Sequence, residues 1–450
     1  MIISQHARSL KSFTLMFAFA LPALSALAVE NWPQFRGHDA TGVVDDPGQL
    51  PDTWSATENV AWKTDIPGRG WSSPIVWGDR VFVTTVVNLG EAETPKKGLY
   101  FGGNRPEPPS SEHEWIVMCL DLKDGGTLWR KQVRKATPQS SIHLKNSLAS
   151  ETPVTDGEHV YVLFGGVGIY CFDMQGNEVW MRDIAPRKTR YGWGTAASPV
   201  LHGDRLYVVN DNEEESYLQA FDKHTGQSIW RTERDEKSNW STPFIWNNEL
   251  RTEIVTLGSG QVRSYDLDGH LLWSLTGMST ITIATPYQYR GLLYLSSGYV
   301  GDPYRPLYAI RPGGKGDISL EGTETSNASI VWSQPTAAPY NPSTLAYDGI
   351  VYVLYDRGLF AAYDAVDGSE IYSKKRIPQG GGYTASPWAY DGKVFCLNED
   401  GKTTMIKAGN EFEVIGSNEL SDDDMGMASP AIAGDRLLIR TASRIYCIQN

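Results

Sequence analysis

At 450 residues and 41% hydrophobic content, the chain has ample core material for two or three ordinary domains or for one closed repeat fold. Its 15 Trp and 22 Tyr beside only 21% charged residues point to all-β packing. A formal net charge of -13 repels phosphate backbones and anionic lipid, which argues against nucleic acid as a partner.

The N-terminus carries Arg8 and Lys11, then an apolar run from Phe13 to Leu24, then Ala26-Leu27-Ala28. A positive start, a short apolar stretch and a small-x-small site read as a secretory signal over residues 1–28, cut after Ala28, and so as a periplasmic or secreted protein. The competing reading is an uncleaved anchor. No Cys follows the apolar run, and no other segment approaches a membrane span. Residues 29–57 are polar and turn-rich, with Trp32-Pro33-Gln34-Phe35-Arg36-Gly37 as the apolar cluster, and predict a surface segment anchored by Trp32 and Phe35. Asn59 to Asp65 then reads as a lone strand around Trp62, without partners before it.

From there one unit recurs, clearest from Ser198 to Trp230: strand, Gly203-Asp204 turn, strand, polar loop, strand, Thr225-Gly226 turn, strand. The Ser/Thr-Pro opening each unit falls at Pro74, Pro153, Pro199, Pro243, Pro286, Thr344 in the Pro position, Pro387 and Pro430. Successive positions lie 79, 46, 44, 43, 58, 43 and 43 residues apart. The two long gaps hold insertions at 88–114 and 312–329; without them the period is that of a four-stranded propeller blade. The eighth unit has only three strands, and the strand at Trp62 supplies the fourth, leaving no long exposed edge. The prediction is therefore an all-β, eight-bladed β-propeller of four-stranded antiparallel blades over residues 58–450, closed by the N-terminal strand. Seven blades is the alternative, if the degenerate fifth or seventh repeat is not a blade. Cys119, Cys171 and Cys447 occupy one repeat position, where other units have Ala220, Ser264, Ala309 or Ala362, and read with Cys396 as small buried thiols.

The outer turn Ala220-Phe221-Asp222-Lys223-His224-Thr225-Gly226-Gln227-Ser228-Ile229-Trp230 resembles the AxDxxTGxxxW repeat of the pyrroloquinoline-quinone-like propeller family. That resemblance implies that the Trp packs between blades while the Asp and Gly fix the turn. The family includes quinone-dependent alcohol and sugar dehydrogenases as well as a non-catalytic, BamB-like branch. A dehydrogenase resembling that family is expected to carry a vicinal Cys-Cys, a catalytic Asp and a Ca²⁺ set beside the quinone. No Cys-Cys occurs, and no catalytic Asp or calcium set is matched here. The expectation is a non-catalytic binding or scaffolding module without cofactor. The alternatives are a dehydrogenase using pyrroloquinoline quinone with Ca²⁺, and a carbohydrate- or polymer-binding propeller.

The links between blades lie on one face beside the channel and are unusually aromatic and polar. Arg69, Trp71, His143, Asn146, Trp193, Trp240 and Tyr383 are the candidate funnel rim, with Lys145, Tyr191, Asn239, Tyr340, Asn341, Met425 and Met427 on the same links. The competing reading is that these aromatics only plug the channel mouth and pack on neighbouring blades. His143 and His113 are the loop histidines most capable of chemistry, although no second His or carboxylate stands at metal spacing. Asp422-Asp423-Asp424 and Glu213-Glu214-Glu215 read as solvated acidic tips. The insertion at 88–114, with its Leu99-Tyr100-Phe101-Gly102-Gly103 cluster, reads as a segment that docks on the propeller face or on a partner. The expected occupants of the loop face are a protein partner or a small polar or carbohydrate ligand, on a monomeric protein without a membrane span.

Overall fold

The computed structural model describes residues 1, 31–45, 49–91, 94–98, 104–105, 107–378, 381–420 and 424–450. The expected signal, the 99–103 cluster and residues 422–423 lie outside these, Met1 excepted. Alternating apolar residues and turns that accept positive φ produce eight sheets, each built on four antiparallel strands. Their innermost strands are Ile75–Trp77, Val154–Thr155, Val200–His202, Phe244–Asn247, Tyr287–Tyr289, Leu345–Tyr347, Trp388–Tyr390 and Ala431–Ala433, which define blades 1 to 8. The degenerate fifth repeat is a full blade that ends in Ile330–Gln334, and the seventh ends in Val414–Glu419. Eight blades is the correct count.

Strand Val60–Asp65 pairs antiparallel with Arg444–Ile448, placing Trp62 opposite Cys447, Thr64 opposite Ile445 and Asp65 opposite Arg444. The two ends of the propeller chain thus share blade 8. Among the described residues no helix is long and apolar enough to cross a membrane.

The repeated Trp is the fastener between blades. Trp62 donates its indole N–H to Leu122 O at 2.9 Å, Trp129 to Met174 O at 3.1 Å, Trp180 to Lys223 O at 2.8 Å, and Trp230 to Leu267 O at 3.0 Å. Each acceptor belongs to the outer turn of the next blade. The glycine of that turn lies flat on the ring: a Cβ at Gly226 would sit 2.4 Å from Trp180 and one at Gly125 2.4 Å from Trp62, and both residues have positive φ. The turn Asp accepts backbone N–H groups, as Asp222 does from His224 and Thr225. Directly across the strand pair from the aromatic stands the small residue of the repeat: Cys119 faces Trp129, Cys171 faces Trp180, Cys447 faces Trp62, and Ala220 faces Trp230. A large side chain there would compete with the indole for the same space. All four cysteines are buried and unpaired.

Two segments outside the repeat pack against the blades. In the 312–329 insertion, Gly316–Asp317 adds a parallel fifth strand to blade 4 beside Trp273 and Ser274, so part of the insertion widens a sheet. The segment read as a surface strap runs deeper than a strap. Trp32 is 4% exposed and bridges Val76 of blade 1, Pro33 O accepts from Thr155 N of blade 2, and Val43 bridges Ala389 of blade 7. Arg36 is fully buried and donates to Thr41 O at 2.8 Å and Thr344 O at 3.0 Å. Burial without a carboxylate lowers its pKa to about 10. Residues 31–45 therefore tie the inner strands of several blades together across one end of the channel.

Candidate functional site

The Ser/Thr in front of each innermost strand does more than punctuate the repeat. Ser73 N donates to Thr152 Oγ1 at 3.0 Å, Thr152 N to Ser198 Oγ at 2.9 Å, and Ser198 N to Thr242 Oγ1 at 3.0 Å. The series resumes with Thr285 N to Ser343 Oγ at 3.0 Å, Ser343 N to Ser386 Oγ at 2.9 Å, and Ser386 N to Ser429 Oγ at 3.0 Å. Six of the eight blade junctions are bridged this way, amide of one blade to hydroxyl of the next. All of these residues except Ser73 line a cavity of about 220 Å³ in the channel.

The cavity wall comes from the links between blades. Trp71, Trp193, Trp240 and Tyr340 supply the aromatic surface, with His143, Lys145, Asn146 and Asn341 between them. The indoles are fixed by their N–H groups: Trp71 to Lys145 O at 2.8 Å, Trp240 to Gly194 O at 2.7 Å, and Trp193 to Asn104 Oδ1 at 2.7 Å. The Trp193 and Trp240 rings lie 5.6 Å apart, and His143 meets Trp193 edge-on, also at 5.6 Å. Asn146 holds Trp193 O at 2.8 Å and Thr195 O at 3.3 Å, which braces the neighbouring link. Phe35 closes the floor and separates this cavity from a second one on the far side.

Of the seven rim candidates, the structure brings Trp71, His143, Asn146, Trp193 and Trp240 together. Arg69 is instead held away from the lining, its backbone bridging Val86 in both directions. Burial, then the proximity of Arg105, lowers its pKa. Tyr383 occupies the right link but turns fully into the core between blades 6 and 7. His113 is buried at the start of a blade 1 strand, with its Nδ1 2.9 Å from Ser111 O. The Glu213–215 tip is not simply solvated: Glu213 accepts from Ser238, Glu214 from Lys188 N, and Glu215 pairs with Arg187 and Arg231. Asp424 likewise accepts from Thr441 and Ser443, a structural use of the acidic run.

Among the described residues the wall has one cation, Lys145, and it is paired. Its ammonium binds the Glu399 carboxylate, with both side chains buried, and also reaches Thr384 Oγ1 at 3.0 Å and Gly98 O at 3.1 Å. Glu399 in turn accepts from Gly98 N at 2.7 Å, and Lys97 pairs with Asp400 at 2.7 Å. The described part of the 88–114 insertion is therefore docked on this chain's own loop face, over blade 7 at one end and at Trp193 on the other. Two fully buried carboxylates, Glu151 and Asp356, support the links without lining the cavity; burial raises the pKa of each. Asp356 accepts from Tyr340 N at 2.9 Å and from Asn341 N at 2.8 Å.

A quinone bound through Ca²⁺ requires carboxylate and amide oxygens around the ion. Among the described residues the cavity lining contains no Asp or Glu, and no three His, Cys, Asp or Glu stand together as a metal-ligand set. The described residues do not fit that pair. What the site offers is an aromatic wall above a ring of hydroxyls, a concavity suited to binding. The Ser/Thr ring was visible in the sequence only as a ruler. Its recurrence at one repeat position was the signal that it lines a shared axis.

A family model described as outer membrane protein assembly factor BamB matches residues 113–300 and 318–450. Outer membrane protein assembly factor BamB of Alkalilimnicola ehrlichii is 26% identical over 182 residues, which is 40% of this chain and 37% of that protein. The matches span about a third to a half of the length of the curated relatives. Among solved structures, BamB from Moraxella catarrhalis superposes with a TM-score of 0.53 at 12% identity, covering 81% of this chain and 98% of that one. A europium-containing methanol dehydrogenase superposes with a TM-score of 0.61 at 10% identity, covering 93% and 98%. At such identities these two likenesses show the fold alone.

Proposed function

We propose, from the premise that the chain belongs to the outer membrane protein assembly factor BamB family, that it works outside the cytoplasm as a non-catalytic scaffold. In this reading the loop-rich face engages a protein partner, and the task is the assembly of outer-membrane proteins, as the relatives' name suggests. The observation that carries the reading is Tyr191, on the link between blades 2 and 3. It is 52% exposed and held at φ 55°, a conformation that costs a side-chain-bearing residue about 1–2 kcal/mol. Its ring lies 5.2 Å from Trp193 and 5.4 Å beneath the Arg190 guanidinium. An exposed, pre-set aromatic beside an arginine is the composition of a binding hot spot. The enzyme reading has less support, because Lys145 is tied to Glu399 and among the described residues no carboxylate lines the cavity to take a substrate proton.

Complementation tests the proposal. In cells lacking the protein, the wild type is expected to restore the yield of folded outer-membrane β-barrels, and Tyr191→Gly to restore clearly less. The same variant is expected to keep or raise the thermal midpoint, since glycine accepts this φ without strain. Barrel yields that do not change when the protein is lost would contradict the proposal.

A further inference from the structure

The hydroxyls of the channel ring have an unusual bond inventory. Thr152, Ser198, Thr242, Ser343, Ser386 and Ser429 each accept a backbone N–H from the neighbouring blade, yet among the described residues none of them donates its own proton. The Thr285 hydroxyl makes no bond to a described residue in either role, and it lines the cavity. A hydroxyl that has spent one lone pair on an amide retains its O–H and a second lone pair, so it can donate to or accept from a ligand. On the wall, the Asn341 amide donates to Asp356 at 2.7 Å, while its Oδ1 accepts from no described residue. Around these polar groups stand Trp71, Trp193 and Trp240.

The charge inventory narrows the ligand. Lys145 is matched by Glu399, and among the described residues no other Lys, Arg, Asp or Glu lines the cavity. An anion or a cation entering it would lose its water without gaining an unmatched opposite charge, which is costly. A neutral molecule rich in hydroxyls loses nothing of that kind: its O–H groups meet partners that switch between donor and acceptor, and its C–H faces meet indole. A volume of about 220 Å³ is at the small end for a ligand site and suits a small ligand such as one sugar ring. We infer that the channel cavity is a binding site for a single neutral saccharide unit, held by the hydroxyl ring below and the tryptophans around it. The cavity shares Trp193 with the partner contact at Tyr191, but sugar titration and barrel yield are read separately, so either proposal can fail without the other.

Titration of the full-length protein with D-glucose, D-galactose and N-acetyl-D-glucosamine, read by tryptophan fluorescence and calorimetry, tests the inference. At least one neutral sugar is expected to give a saturable signal, with D-gluconate and D-glucosamine at least about tenfold weaker. Thr285→Val, which keeps the Thr285 amide bond to Ser343, is expected to weaken binding about threefold to tenfold with an unchanged thermal midpoint. Absence of saturation by all three neutral sugars at tens of millimolar, equal or tighter binding of a charged one, or unchanged binding by Thr285→Val would each overturn it.

Discussion

Replacing Trp62 by alanine is expected to destabilise the protein by about 3–5 kcal/mol, more than the same change at an exposed aromatic. Trp62 is 7% exposed, donates to Leu122 O and covers Gly125 of blade 1, so it joins the closing strand to the first blade. Its loss removes buried apolar surface at the seam where the two ends of the ring meet, and leaves Leu122 O to the Arg436 guanidinium alone. The other indole fasteners sit between blades that the chain already connects in sequence. At the seam the connection is non-covalent, so the same cavity is expected to loosen the ring more than it would elsewhere. Denaturant unfolding monitored by circular dichroism measures this: the midpoint drops sharply for Trp62→Ala and less for Trp230→Ala. Equal, small losses at both positions would mean that the seam carries no special load.

Raising the pH above 9 is expected to destabilise the protein steadily. Burial pushes the thiols of Cys119, Cys171 and Cys447 up to about 12 from an ordinary value of 9.0, and the Tyr352 hydroxyl up to about 12 from 10.0. The unfolded chain releases these protons first, so the stability they confer is complete below pH 9 and is lost as pH climbs toward 12. At pH 11 each of the three thiols withdraws about 3 kcal/mol, and together they rival the roughly 5–15 kcal/mol of a whole domain. Denaturation midpoints from pH 8 to pH 11 are expected to fall steadily from pH 9. Replacing the three cysteines by alanine, the residue that Ala220 and Ala362 place in the same slot, flattens the fall. A wild-type midpoint that stays level to pH 11 would contradict the thiol burial.

Asp222, Gly226 and Trp230 show why the propeller could be read from sequence. Each has a local cause: the carboxylate caps the turn, the glycine accepts positive φ under an indole, and the Trp repeats with the blade period. The same logic located the orphan strand at Trp62. The plug at residues 31–45 has no such signature. Trp32, Phe35 and Arg36 form no alternating pattern, and a buried arginine without a carboxylate partner looks like a surface residue until the fold encloses it. The site was half legible for a related reason. Link position predicted which residues come near the axis, and five of the seven rim candidates do. Direction within the link depends on packing from other blades, which sends Tyr383 into the core. The pairing of Lys145 with Glu399 joins positions 254 residues apart, beyond any local pattern.

Val60–Asp65 closes the ring against Arg444–Ile448. Asp65 and Arg444 face each other in that register, with 3.0 Å between carboxylate and guanidinium, and both are accessible. A protein carrying Asp65→Cys and Arg444→Cys is expected to form an intramolecular disulfide on mild oxidation, seen as a single linked peptide pair by mass spectrometry and a higher thermal midpoint. The native cysteines are buried and do not compete. Two thiols that stay reduced, or that pair only between molecules, would show that the chain ends do not meet in one blade.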